Sequence, residues 1–175
     1  VCYEALVKLA GDTPVCVPVT REMGYRPDIE AVRAALTDRT KMIMLNYPNN
    51  PTGATYPLAL LEQFAALARS HDLLVLSDEI YSELTYTSDE HVCFSSIPGM
   101  RDRTILISGF SKAFAMTGWR LGYVCAPADL AAGMLKIHQY AMLCAPITAQ
   151  LAAIDAVKRV ATDVATMRAS YERRR

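Results

Sequence analysis

The sequence predicts an α/β fold: three layers, a mostly parallel sheet flanked by helices, and incomplete as it stands. Three observations carry that prediction. Apolar, β-branched runs alternate along the chain with stretches of helical spacing, the pattern of parallel strands joined by helical crossovers. The runs at residues 73–77 (LLVLS) and 104–108 (TILIS) are almost continuously apolar, as strands buried on both faces are. Polar clusters follow three of the runs, and open α/β sheets bind ligands beyond the carboxyl ends of their strands.

The elements follow in order. Residues 1–9 read as helix and residues 14–19 as a strand. A helix is expected over residues 28–36, with Pro27 just before it and Asp28 as its cap. Residues 41–46 (KMIMLN) form a short apolar strand. Residues 57–70 form a helix whose apolar positions Leu58, Leu61, Ala65 and Ala68 keep i, i+3, i+4 spacing. The strands at 73–77 and 104–108 come next, then a strand at 121–126, a helix over 128–140 and one long helix over 147–173, after Pro146. Met42, Met44, Met134 and Met142 read as core filler. There is no initiator Met, and the last residues stop inside a helical pattern, so the chain is expected to be a piece of a longer protein.

Composition narrows the function classes. The chain has 175 residues, 52% hydrophobic and 21% charged, within the globular range and enough to bury a core. Eighteen basic residues balance 18 acidic ones, which gives no electrostatic reason to expect nucleic acid or an anionic membrane as partner. No apolar run approaches the roughly 18 residues of a membrane span. The five cysteines are widely spaced with no CxxC pair, and the three histidines (His71, His91, His138) show no metal spacing. No metal site is expected, the histidines read as surface or packing residues, and a reducing, cytoplasmic setting is favoured.

The polar clusters hold the candidate chemistry. Lys112 follows the 104–108 run and sits among Ala113, Phe114 and Met116. Apolar neighbours desolvate a lysine and favour its neutral, nucleophilic amine, which Schiff-base formation needs. Arg120 lies beyond Thr117-Gly118-Trp119 and suits bidentate recognition of a phosphate or carboxylate, with the hydroxyls of Ser108 and Ser111 available to the same anion. Asp78 ends the 73–77 run; it can cap the next turn or pair with a protonated ring nitrogen. Tyr81 lies three residues on, where one helical turn brings its hydroxyl to the same side. In Asn46-Tyr47-Pro48-Asn49-Asn50-Pro51-Thr52-Gly53, two prolines fix φ and Gly53 permits a bend, so Asn50 is held on a stiff loop. Neither GxGxxG nor GxxxxGK[ST] occurs, which argues against a nucleotide site.

Taken together, Asn50-Pro51-Thr52-Gly53, Ser77-Asp78-Glu79-Ile80-Tyr81 and Gly109-Phe110-Ser111-Lys112 through Met116-Thr117-Gly118-Trp119-Arg120-Leu121-Gly122 resemble the fold-type I aminotransferases of class I/II, in the family's order and at its approximate spacing. A narrower likeness runs to the aspartate and aromatic members. The resemblance implies the large domain of the aspartate-aminotransferase-like fold, with residues 1–145 part of the cofactor-binding large domain and residues 146–175 a long helix leading toward a small domain. It implies pyridoxal 5'-phosphate as cofactor and ping-pong transfer of an amino group between an amino acid and a 2-oxo acid. Lys112 would form the internal aldimine and move the substrate proton. Asp78 would keep the pyridine nitrogen protonated, Asn50 and Tyr81 would bond the ring's O3′, and Arg120 with Ser108 or Ser111 would hold the phosphate. Many members carry Ser where this chain has Gly109. The family's stacking aromatic and substrate-carboxylate arginine would fall outside this chain, which alone is expected to be incomplete, and a homodimer would complete each site in the full-length protein. A lyase of the same fold, or a cofactor-sensing domain of a transcription regulator, would share these contacts.

Overall fold

A computed structural model describes residues 2–86 and 90–174. The chain divides into two compact units, one ending at Thr40 and the other starting at Lys41. In the first, α1 (Tyr3–Leu9) is a short helix with Glu4 and Lys8 paired one turn apart. α2 (Ile29–Ala35) starts as the sequence predicts, the Asp28 carboxylate accepting from the Glu30 N–H at 3.0 Å. Residues 14–19 correct an expectation: they join no sheet among the described residues. Pro14 and Pro18 remove two ladder donors, and Val15 stays exposed.

The second unit is built on four strands in the order β1 (Met42–Asn46), β2 (Leu74–Asp78), β3 (Thr104–Gly109) and β4 (Gly122–Cys125). The first three run parallel, whereas β4 runs antiparallel to β3, with Gly109 opposite Gly122. The sheet is therefore mixed. α3 (Leu58–Ser70) lays Leu61, Phe64, Ala65, Leu67 and Ala68 into the core, the one-face spacing of an amphipathic helix. Leu58, counted on that face from sequence, is exposed in the first turn. The core continues through Leu73, Val75, Phe94 and Met100, and burying an aromatic such as Phe64 contributes about 2–3 kcal/mol. Arg103 ties the end of α3 to the start of β2 by donating to the carbonyls of Ala68 and Leu73 and to the Asp72 carboxylate.

Beyond β4 lie α4 (Ala128–Ala141), α5 (Ile147–Lys158) and α6 (Ala165–Glu172). The expected single helix over 147–173 is interrupted: residues 160–164 wind as a π segment. Thr162 and Thr166 each donate a hydroxyl to a carbonyl one turn back, a competing bond that loosens a regular helix. Two of the methionines read as core filler are exposed, Met44 on the outer face of β1 and Met142 beyond α4. No helix among the described residues is long and apolar enough to cross a membrane.

Candidate active site

The parallel strands end where the sequence predicts chemistry. After β1, the chain folds into a tight loop pinned on Asn49. The Asn49 N–H donates to the Ala54 carbonyl, its own carbonyl accepts the Gly53 N–H at 2.7 Å, and its side chain links Asn46 to Thr52. Gly53 takes φ +71°, which its missing Cβ permits. The stiff loop predicted from two prolines and a glycine is therefore present, with the Tyr47–Pro48 and Asn50–Pro51 peptide bonds both cis.

Asn50 is displayed from this loop, and its Nδ2 donates to the Tyr81 hydroxyl at 3.1 Å. The Lys112 Nζ lies 5.5 Å from the centre of the Tyr81 ring, within reach of a cation–π contact. Three residues from three separate segments thus meet. Asp78, the last residue of β2, has its carbonyl held by the Tyr47 N–H at 3.2 Å and the Asn46 amide at 3.3 Å, and its carboxylate caps the turn by accepting from the Ile80 N–H.

The connection from Lys112 to Arg120 is a compact turn. The Thr117 hydroxyl donates to the Ser111 carbonyl at 2.7 Å, next to Lys112, while the Thr117 carbonyl accepts from the Arg120 guanidinium at 2.9 Å. Ala115 and Arg120 both adopt left-handed backbone, at φ 53° and 54°, a conformation that costs a non-glycine residue about 1–2 kcal/mol. Beneath the turn, Phe110, Met116 and Ala153 of α5 form a small buried cluster. Arg120 is held by Thr117 and is not bonded to the Asn50–Tyr81–Lys112 group. Ser108 faces Tyr123 across the β3–β4 pair, and Ser111 opens the turn; both are half-buried. Gly109 accounts for the missing serine: a Cβ there would lie 2.8 Å from the Gly122 Cα and 3.1 Å from the Leu121 carbonyl oxygen.

One residue between two predicted ones was given no role from sequence. Glu79 is 2% exposed, and its carboxylate accepts from Ser77 Oγ at 2.7 Å, the Phe94 N–H at 3.0 Å and His91 Nε2 at 2.6 Å; the Tyr47 hydroxyl, 3.4 Å away, donates to the Val92 carbonyl at 2.9 Å. Burial pushes this carboxyl up, but the bonds from His91, Phe94 and Ser77 outweigh it and hold it below the ordinary range. Opposite an ionised carboxylate, which can only accept, His91 Nε2 is the donor of the 2.6 Å bond. Burial and the Glu79 charge push the Tyr47 phenol far above its usual range. Val75, Ser77 and Glu79, one residue past β2, alternate onto one buried side.

Set against known proteins, the chain matches the family model for aminotransferase class I and II over residues 2–175. It belongs to that family. Over its full length it is 51% identical to the YugH protein of Bacillus subtilis, covering 45% of that protein. The solved aromatic aminotransferase from Pyrococcus horikoshii superposes with a TM-score of 0.96 at 41% identity, over 99% of this chain and 47% of that one. The Thermus thermophilus aspartate aminotransferase with maleate gives 0.93 at 39% identity, over 98% and 45%. This aminotransferase-family chain spans less than half the length of each, and its fold is the α/β large domain of the aspartate aminotransferases, in part.

Proposed function

We propose that the full-length protein is a pyridoxal 5'-phosphate-dependent aminotransferase that moves an amino group between an amino acid and a 2-oxo acid in two half-reactions. The observation that carries this reading is the meeting of Asn50, Tyr81 and Lys112 beyond the sheet's carboxyl edge, a donor amide, a phenol and an amine from three segments. This donor set fits the cofactor. When bound, pyridoxal phosphate supplies an electron sink for the charge left at a substrate's Cα.

The chain's own residues do the rest. The Asn50 amide and the Tyr81 hydroxyl donate to one ring oxygen and fix the ring's orientation. The Asp78 carboxylate, at the end of a buried strand, is the partner for a protonated ring nitrogen. Lys112 would hold the cofactor through its amine, and the same amine when free would take and return the proton at the substrate's Cα. Arg120 and the Ser108 and Ser111 hydroxyls provide the phosphate contacts. The Arg120 guanidinium, which donates to the Thr117 carbonyl, would turn to the anion. Residues 1–145 are read as part of the cofactor-binding domain and residues 146–175 as the lead into the small domain. A second copy of the chain completes the site in this reading, and the reaction runs in the cytoplasm. The similar proteins named above are an aspartate aminotransferase in one case and an aromatic aminotransferase in another, so amino transfer, and not one particular donor, is what this reading takes from them.

The test is spectroscopic. The full-length protein loaded with pyridoxal phosphate should show a visible absorbance band that Lys112→Ala removes, together with all transfer activity. A band unchanged in that variant would sink the assignment.

A further inference from the structure

The Glu79 carboxylate accepts from Ser77, Phe94 and His91, and so gathers the segments that carry the proposed cofactor-binding side chains. Its Oε1 accepts from Ser77 on β2 and from the Phe94 N–H, and lies 3.4 Å from the hydroxyl of Tyr47 at the base of the Asn50 loop, which donates to the Val92 carbonyl at 2.9 Å; Oε2 accepts from His91 at 2.6 Å. The backbone on either side is equally committed. The Glu79 N–H donates to the Ile107 carbonyl of β3, and the Asp78 carbonyl accepts from the Tyr47 N–H. The peptide that carries the carboxylate is thus bonded to β3 and to Tyr47, and Tyr47 lies three residues before Asn50 on the same loop. His91 is locked from a second side, its ring 5.2 Å from that of Tyr47.

A buried carboxylate is a poor way to gain stability alone. Well-packed apolar side chains of the same volume usually serve as well or better, whereas a satisfied charged group fixes one arrangement of its neighbours. Here the neighbours are the ends of two strands and the loop that follows β1. We propose that Glu79 and His91 form a positioning pair that sets Asp78, Tyr81 and Asn50 relative to one another for the reaction. The proposal rests on the reading that these three residues hold the cofactor.

Three variants of the full-length protein test it. Glu79→Gln keeps the side chain's shape and removes its charge. His91→Phe keeps a ring against Tyr47 and removes the donor. His91→Gln restores an N–H donor without the ring. The readouts are kcat and KM, the visible circular dichroism of the bound cofactor, and the melting temperature of the unloaded protein. Displacing reacting groups by fractions of an ångström to an ångström costs up to about 100-fold, so Glu79→Gln and His91→Phe should lower kcat by about 10- to 100-fold. KM should stay within about threefold, because the loss falls on the chemical step rather than on substrate binding. The visible dichroism should change in both variants, and His91→Gln should recover most of the loss. Lower melting temperatures with unchanged dichroism and kcat would overturn the proposal and leave the pair a structural role. If Glu79→Gln does not fold, the contrast between the two His91 variants decides alone, and equal kcat in those two would overturn it. If the wild-type protein shows no visible band, the function reading has failed and takes this proposal with it.

Discussion

The two loops that carry the candidate site are held by different means. The side that presents Asn50, Asp78 and Tyr81 is anchored from behind, through a carboxylate that is 2% exposed and the fully buried Tyr47. The side that presents Lys112 and Arg120 is anchored along its own length, by Thr117 bonding forward and back and by two residues in left-handed backbone. Burial sets the first geometry and local chain conformation sets the second. The side proposed to hold the ring is thus the more deeply buried one. The Lys112 amine and the Arg120 guanidinium sit on a turn that a few hydrogen bonds define.

The sharpest way to break this comparison is on the buried side. Asp78→Asn preserves shape and removes charge, and should lower kcat by about 10²–10³-fold, the usual loss when one fixed electrostatic group is removed from a reacting site. Cofactor affinity should change far less, because the neighbouring contacts remain. Equal losses in turnover and affinity, measured by steady-state kinetics and cofactor titration, would move Asp78 into a merely binding role.

A smaller effect is expected where the two sides join. Gly109→Ser forces a Cβ to within 2.8 Å of the Gly122 backbone and should cost about 1–3 kcal/mol, read as a lower melting temperature. A serine accommodated at no cost would show that β3 and β4 can part, and that Gly109 is not sterically required.

The smallest effect is expected on the exposed turn. Thr117→Val removes only the hydroxyl bond to the Ser111 carbonyl, worth about 0.5–1.5 kcal/mol. Faster cofactor dissociation with little change in melting temperature would confirm that this side is set locally. A global loss of stability would erase the distinction between the two sides.

The strands and the first helices were legible because their signals are local. Apolar runs marked β1, β2 and β3, and Asp28 announced the start of α2. The site residues were legible because the motifs place them just past those runs, and the chain brings Asn50, Tyr81 and Lys112 together from that placement. What escaped depends on partners distant in sequence. Residues 14–19 have strand composition, but composition does not supply a neighbouring strand. The π segment at residues 160–164 has neither Pro nor Gly to mark it. Glu79 looked like a neighbour of Asp78 because only the folded chain brings Tyr47, His91 and Phe94 to it.

The antiparallel direction of β4 is a small feature with a large geometric effect. The chain leaves β3 at Gly109 and re-enters the sheet at Gly122, directly opposite. Had β4 been parallel, it would have begun at the other end of β3, at Thr104, about 17 Å away. Arg120, two residues before that entry, would have travelled with it. A single reversal of direction at the sheet's edge keeps an amine and a guanidinium on one short span, and so bounds the length of any ligand that both can reach.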